Sequence, residues 1–179
     1  NNIVDVTNYV QFSLNKPMHA YDARSIKGTL SARYASPSET LTTLDDKSLT
    51  LDASTLVIAD DEKVLGLAGI KGGKFSGVQG DTTSVILESA NFNPILIRTT
   101  SGKYTIRTDA SKRFENGIAN NLVIEGLHMT ANLLQELCPT AKKSSVVDIY
   151  PKKDTSYYVG ISKSELNAIL GSSYDDEII

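Results

Sequence analysis

Apolar residues recur along this chain at two different spacings, and the switch between them marks its organisation. Ile3, Val6, Val10 and Leu14 lie three to four residues apart, which predicts an amphipathic helix over Asn2 to Leu14. Pro17 ends it, because proline disfavours helix in the residue before it, and a loop is expected from Lys16 to Asp22. From Thr29 to about Leu87 the texture becomes short β-rich runs: Leu30 to Tyr34, Thr40 to Leu44, Ser48 to Leu51, Thr55 to Ala59 and Val64 to Ala68. Turn signals such as Asp45-Asp46-Lys47 and Asp60-Asp61 separate them, so a sheet-rich core is expected, a sandwich or partial barrel.

A further strand is predicted from Ser84 to Ala90, then helices from Pro94 to about Thr100, Ala110 to Asn116 and Ala119 to Leu137. The last carries Val123, Leu127, Thr130 or Ala131, Leu134 and Leu137 on one face. A strand-like Val146 to Tyr150 leads into Pro151-Lys152-Lys153-Asp154, which reads as a linker. Beyond it, Ser162-Lys163-Ser164-Glu165 is a capping box opening a short helix that Gly171 ends. The abrupt start at Asn1, and a close at Asp175 to Ile179 that reads as the opening of a helix, suggest a piece excised from something longer. Residues 1–151 are expected to form one domain, with 152–179 a linker and the start of another.

Composition narrows the class. The 179 residues, 40% of them hydrophobic, suit a globule with one good-sized core. No run approaches the roughly 18 to 20 apolar residues of a membrane span, and no charged-then-apolar leader opens the chain. The single cysteine, Cys138, lies in an apolar helical stretch where a small core residue is the ordinary reading, and a reducing, cytoplasmic setting fits. A formal net charge of -3 argues against a simple basic nucleic-acid binder. Yet Arg98, Lys103, Arg107, Lys112 and Arg113 face only Asp109 in their own segment, which leaves room for a polyanion contact as well as for a solvated helix face.

Few residues carry obvious chemistry. Two distant histidines and one cysteine match no zinc spacing, and neither His19 nor His128 lies in a serine-nucleophile motif. Gly66-Leu67-Ala68-Gly69-Ile70-Lys71-Gly72-Gly73 holds four glycines in eight residues, which means tight turns or close backbone approach, but it is neither a P-loop nor a dinucleotide fingerprint. Glu88 interrupts a strand on the face of Ile86 and Ala90, so it either sits at a solvated edge or is held in a pocket by a donor.

Six blocks taken together resemble a known family: Val4-Asp5-Val6-Thr7-Asn8-Tyr9-Val10, Pro17-Met18-His19-Ala20-Tyr21-Asp22, Leu56-Val57-Ile58-Ala59-Asp60, Leu67-Ala68-Gly69-Ile70-Lys71-Gly72-Gly73, Val85-Ile86-Leu87-Glu88-Ser89-Ala90 and Arg107-Thr108-Asp109-Ala110-Ser111-Lys112-Arg113-Phe114-Glu115-Asn116-Gly117. In this order they are similar to the B3/B4 region of the bacterial phenylalanine-tRNA ligase beta subunit, over about residues 1 to 150. The tail from Tyr157 resembles the start of the B5 domain that follows there.

The resemblance implies an α+β fold, a β-sandwich-like, sheet-rich core of unusual topology with flanking α-helices. It also implies an editing site that hydrolyses mischarged tyrosyl-tRNA(Phe), with Asn8, Gly72 and Glu88 binding the tyrosine and His19, Thr108 and Ala110 lining the ester end. The implied partners are the tRNA(Phe) 3′ end, the ligase alpha subunit and the remaining beta-subunit domains in an (αβ)2 heterotetramer, without DNA or membrane. No cofactor is implied for this region; ATP and Mg2+ belong to the complete enzyme. Arginines that the family carries before the first block fall outside this sequence, and Ser101-Gly102-Lys103-Tyr104 stands where the family often has arginines. A tRNA-docking module with a degenerate pocket, or a trans-acting relative, is the alternative.

Overall fold

Residues 1–151, 153, 155 and 157–176 are described by a computed structural model. Lys152 and Asp154 of the linker, and Glu177, Ile178 and Ile179 of the expected terminal helix, lie outside the described residues. Chain contacts divide the protein into two units, Asn1–Ser145 and Val146–Ile179.

The first unit opens with α1 (Asn2–Leu14), the span that the apolar spacing predicts. The Asn1 side chain caps it by accepting from the Ile3 amide at 2.9 Å, and Val6 and Val10 form its buried stripe. Asn15, in the left-handed conformation at φ 55°, closes it ahead of the proline. The expected loop that follows is in part a strand, β1 (His19–Asp22). Its ladder partner is β8 (Val85–Glu88), far along the chain, so a local reading has no means of finding the pair.

Between them β2 (Ser31–Tyr34), β3 (Thr40–Thr42), β4 (Ser48–Thr50), β5 (Leu56–Ala59), β6 (Val64–Leu67) and β7 (Lys71–Gly72) form two further sheets. One has the order β2-β5-β6-β7 and the other is the β3-β4 hairpin; every pairing is antiparallel. The central strands are buried on both faces. Successive side chains of a strand point to opposite sides, and accordingly Val57 and Ala59 enter a core with Leu67 and Phe114, while Ile58 enters a second with Tyr21, Leu65 and Ala68. Two cores divided by one sheet are the physical content of the sandwich-like expectation.

Helices flank this core. α2 (Pro94–Tyr104) runs past its expected end because Thr105 supplies the left-handed cap; α3 (Asp109–Phe114) is short, and α4 (Leu122–Leu137) packs on α1. The deepest residues of α4 are Gly126 and Thr130 rather than its leucines, and Leu137 at the end of the expected stripe is 57% exposed. At Gly126 a β-carbon would come 2.9 Å from Lys16 Cγ, so glycine sets how closely the helix approaches. His128 and Cys138 are exposed, the latter beyond the helix end instead of in the core.

In the second unit the run Val146 to Tyr150 is not a strand: Val147 and Ile149 are 83% and 81% exposed, and β-branched residues without neighbours to pack against do not by themselves make a strand. The capping box behaves as the sequence indicates. Ser162 and Glu165 cap α5 (Lys163–Leu170) reciprocally, and Gly171 closes it at φ 64°. No helix among the described residues is long and apolar enough to cross a membrane.

Candidate functional site

The two-stranded β1-β8 ladder aligns the chemistry. His19 stands directly opposite Glu88, and Tyr21 opposite Ile86. Residues two apart on a strand share a face, so His19, Tyr21, Ile86 and Glu88 crowd one side of the ladder. The Tyr21 hydroxyl reaches diagonally across and donates to Glu88 Oε2 at 2.5 Å, the length of a charge-assisted bond. The His19 ring meets Tyr21 edge to face with centroids 4.5 Å apart.

This face opens on a cavity of about 80 Å3. One wall comes from the ladder, with Met18, His19, Tyr21 and Glu88; the opposite wall is the glycine-rich turn, Gly66 to Gly72; and Ala110 and Phe114 of α3 close the side. The turn can approach because side chains are missing where they would collide. A β-carbon on Gly72 would lie 2.8 Å from His19 Cε1 and 3.1 Å from His19 Nε2. Gly69 takes φ +67° beneath Phe92 and Phe114, which favours glycine there on two counts.

α3 is fastened to this turn by its own cap. Thr108 accepts from the Ser111 amide at 3.0 Å and donates its hydroxyl proton to the Ile70 carbonyl at 2.8 Å, while Ser111 Oγ accepts from the Thr108 amide. Thr108 therefore fixes Ala110 and Ile70, which line the cavity, without lining it itself. Of the six residues expected at the site, His19, Gly72, Glu88 and Ala110 come together; Thr108 stands directly behind them. Asn8 lies on the exposed side of α1, apart from the cavity lining.

Burial sets the electrostatics of His19 and Tyr21. His19 Nε2 is buried without a hydrogen-bond partner, and burial holds the imidazole pKa below its ordinary value against the opposing charge of Glu88. Tyr21 is pushed far above the ordinary phenol range by burial, then by the Glu88 charge and hydrogen bond, so it stays a donor. Glu88 Oε1 accepts no hydrogen bond from the described residues.

Sequence reasoning missed two contributors. Lys16 is wholly buried, donating from Nζ to Ala90 O at 2.6 Å and Pro17 O at 3.1 Å; burial lowers its pKa to about 8, opposed by the Glu88 charge. Tyr21 lies inside the second of the six blocks, but only the strand pairing reveals its reach. The cationic segment is mostly engaged within the chain: Arg107 bonds Glu115 at 2.7 Å, Lys103 pairs with Asp52, Lys112 pairs with Asp109 at 3.3 Å, and Arg113 donates to the Asp109 carbonyl and covers Phe12.

Among the described residues no group of three or more His, Cys, Asp or Glu could hold a metal ion. The donor set of the described residues does not fit Mg2+ or a Mg2+-nucleotide.

The chain is similar over most of its length to phenylalanine-tRNA ligase beta subunits. It is 39% identical over 177 residues to that of Dickeya dadantii, covering 98% of this chain and 22% of the relative. The Protochlamydia amoebophila protein is 42% identical over 174 residues, covering 97% and 22%, and that of Rhodopseudomonas palustris 44% over 147 residues, covering 82% and 18%. The chain thus spans about a fifth of the length of these relatives. Its fold resembles a crystal structure of an N-terminal fragment of the phenylalanyl-tRNA synthetase beta subunit from Pyrococcus horikoshii, with a TM-score of 0.53 at 14% identity, covering 98% of this chain and 52% of that one. The family model described as the B3/4 domain matches residues 1–139. On that match, which takes in all three sheets and every wall of the cavity, this chain belongs to the B3/4 domain family.

Proposed function

We propose that the cavity is an editing site, which hydrolyses the ester joining tyrosine to the 3′ end of tRNA(Phe) within a phenylalanine-tRNA ligase. The observation that carries this reading is Glu88: a carboxylate lining a small cavity of mixed polar and apolar character, with one oxygen held by Tyr21 and the other unbonded. A tyrosine side chain brings an apolar ring and one hydroxyl donor. Its phenol would bond Oε1, whereas phenylalanine would leave that oxygen buried and unpaired. A pocket built for phenylalanine rejects an added hydroxyl only weakly, roughly a hundredfold, whereas a site that bonds the hydroxyl can reject the analogue lacking it by roughly 10⁴ to 10⁵. A second sieve is useful for that reason.

The backbone of the glycine turn would pack on the aminoacyl group, with Ala110 beside it. An aminoacyl ester is already activated, so a positioned water and a stabilised oxyanion suffice for its cleavage. His19, held neutral, is the group best suited to hold that water, and its unpartnered Nε2 is the atom that would do so. Thr108 acts through Ile70 and α3 rather than on the ester. The remaining parts of the reading are the ligase alpha subunit, the other beta-subunit domains, the (αβ)2 assembly and a cytoplasmic setting. ATP and Mg2+ would serve aminoacylation elsewhere in the complete enzyme.

Hydrolysis of tyrosyl-tRNA(Phe) and phenylalanyl-tRNA(Phe) by the complete ligase, with wild-type sequence and with Glu88→Ala, tests the proposal. Preferential loss of tyrosyl-tRNA that disappears in Glu88→Ala is the expected result. Selectivity unchanged by the substitution removes Glu88 from the role, and no hydrolysis at all leaves a docking module.

A further inference from the structure

The geometry points to Tyr21 as the residue that sets specificity, by holding Glu88 through Oε2 so that only Oε1 faces an incoming hydroxyl. This rests on the editing reading above and deepens it, since Tyr21 is assigned no contact with the reacting atoms and acts as a positioning residue.

Tyr21 cannot easily leave. It is 2% exposed, its ring packs with Ile58, Leu65 and Ala68, and its backbone pairs with Ile86 on one side and bridges to Gly77 on the other. Its hydroxyl nonetheless emerges on the cavity side of the ladder and spends its proton on Glu88. A phenol is thus already on the carboxylate before any ligand arrives, and it leaves Oε1 as the unpaired acceptor.

The last torsion of a glutamate side chain is broad, so a carboxylate without a fixed partner turns readily. Free to turn, Glu88 could take up a bridging water beside a phenylalanine ring, and the penalty that rejects phenylalanine would shrink. Fixed by Tyr21, it offers one acceptor in one direction, a preorganised arrangement that only a hydroxyl in the right place satisfies.

The test compares tyrosyl-tRNA(Phe) with phenylalanyl-tRNA(Phe) hydrolysis in the complete ligase carrying Tyr21→Phe, Glu88→Ala or both. Tyr21→Phe keeps the ring against His19 and in the core, and thermal unfolding checks that it folds. The tyrosine-over-phenylalanine ratio should fall about tenfold in Tyr21→Phe, the scale of losing one hydrogen bond to a charged group. In the Glu88→Ala background the same change should have no further effect, which a merely structural role would not produce. Incorporating 4-aminophenylalanine at position 21 returns a donor and should return the ratio. A wild-type ligase without tyrosine preference overturns the editing reading itself. A wild-type preference that Glu88→Ala abolishes but Tyr21→Phe leaves intact overturns this inference alone, as does a Tyr21→Phe effect that persists without Glu88.

Discussion

Lys16 Nζ donates to the Ala90 carbonyl at 2.6 Å from a side chain with no solvent exposure, so a buried ammonium ties the end of α1 to the chain just beyond β8. The Pro17 carbonyl at 3.1 Å is its other acceptor, and the Phe114 ring lies beneath it with its centroid at 5.2 Å. Burial opposes the charge, and neutral acceptors only partly compensate.

That cost is visible in pH. With a folded pKa lowered to about 8 from 10.5, Lys16 binds fewer protons in the folded than in the unfolded chain between those values. Its contribution is complete above pH 10.5 and is lost as pH falls toward 8, a span of roughly 3 kcal/mol. Above about pH 10 Tyr21 enters with the opposite sign, because its folded pKa is raised. Urea unfolding between pH 7 and 10 should therefore show wild-type stability rising with pH, and Lys16→Met should flatten the rise. Parallel curves for the two proteins would contradict the assignment.

His19 gives the matching prediction on the acid side. Its folded pKa is lowered, so the unfolded chain takes up a proton first as pH falls below about 6.5, and stability declines through that window. His19→Gln should lose this part of the acid sensitivity, measured by denaturation between pH 7 and 5. The same substitution should slow tyrosyl-tRNA hydrolysis by about a hundredfold if the imidazole holds the water.

Gly72→Ala tests the narrowness of the cavity. Its backbone conformation is open to alanine, so the effect comes from the new methyl group, 2.8 Å from His19 Cε1 and 3.3 Å from Leu44 Cδ1. Relieving that contact should cost about 1 to 3 kcal/mol of stability in thermal unfolding and displace the imidazole. Tyrosyl-tRNA hydrolysis should drop while aminoacylation by the complete ligase persists. Full editing activity in a stable Gly72→Ala protein would show that the turn does not confine the ligand.

How much of this was legible in the sequence depends on whether the signal is local. α1 and the α5 capping box came out at their observed positions because apolar spacing and caps are written within one element. All six β-rich runs expected between Thr29 and Ala90 became strands within a residue or two for the same reason. β1 was missed because four residues just after a proline carry no period, and its partner β8 lies far along the chain. Val146 to Tyr150 failed in the other direction, since β-rich composition without a partner strand is not a strand. At the site, the six-block resemblance brought His19, Gly72, Glu88 and Ala110 forward, but not the buried Lys16, which falls outside all six blocks. Tyr21 acquires its part only through a diagonal contact across a ladder.

The β1-β8 ladder shares no ladder pairing with the β2-β5-β6-β7 sheet. The cavity therefore works like a caliper: Glu88 and His19 ride on one jaw, Gly66 and Gly72 on the other, and no β-ladder pairing sets the gap. Its width is set by the apolar filling between the jaws, where Ile58, Leu65 and Ala68 meet Tyr21. Recognition of a single hydroxyl is thereby referred to residues that never touch a ligand, and trimming a methylene from that filling would reset the gauge without altering any polar group.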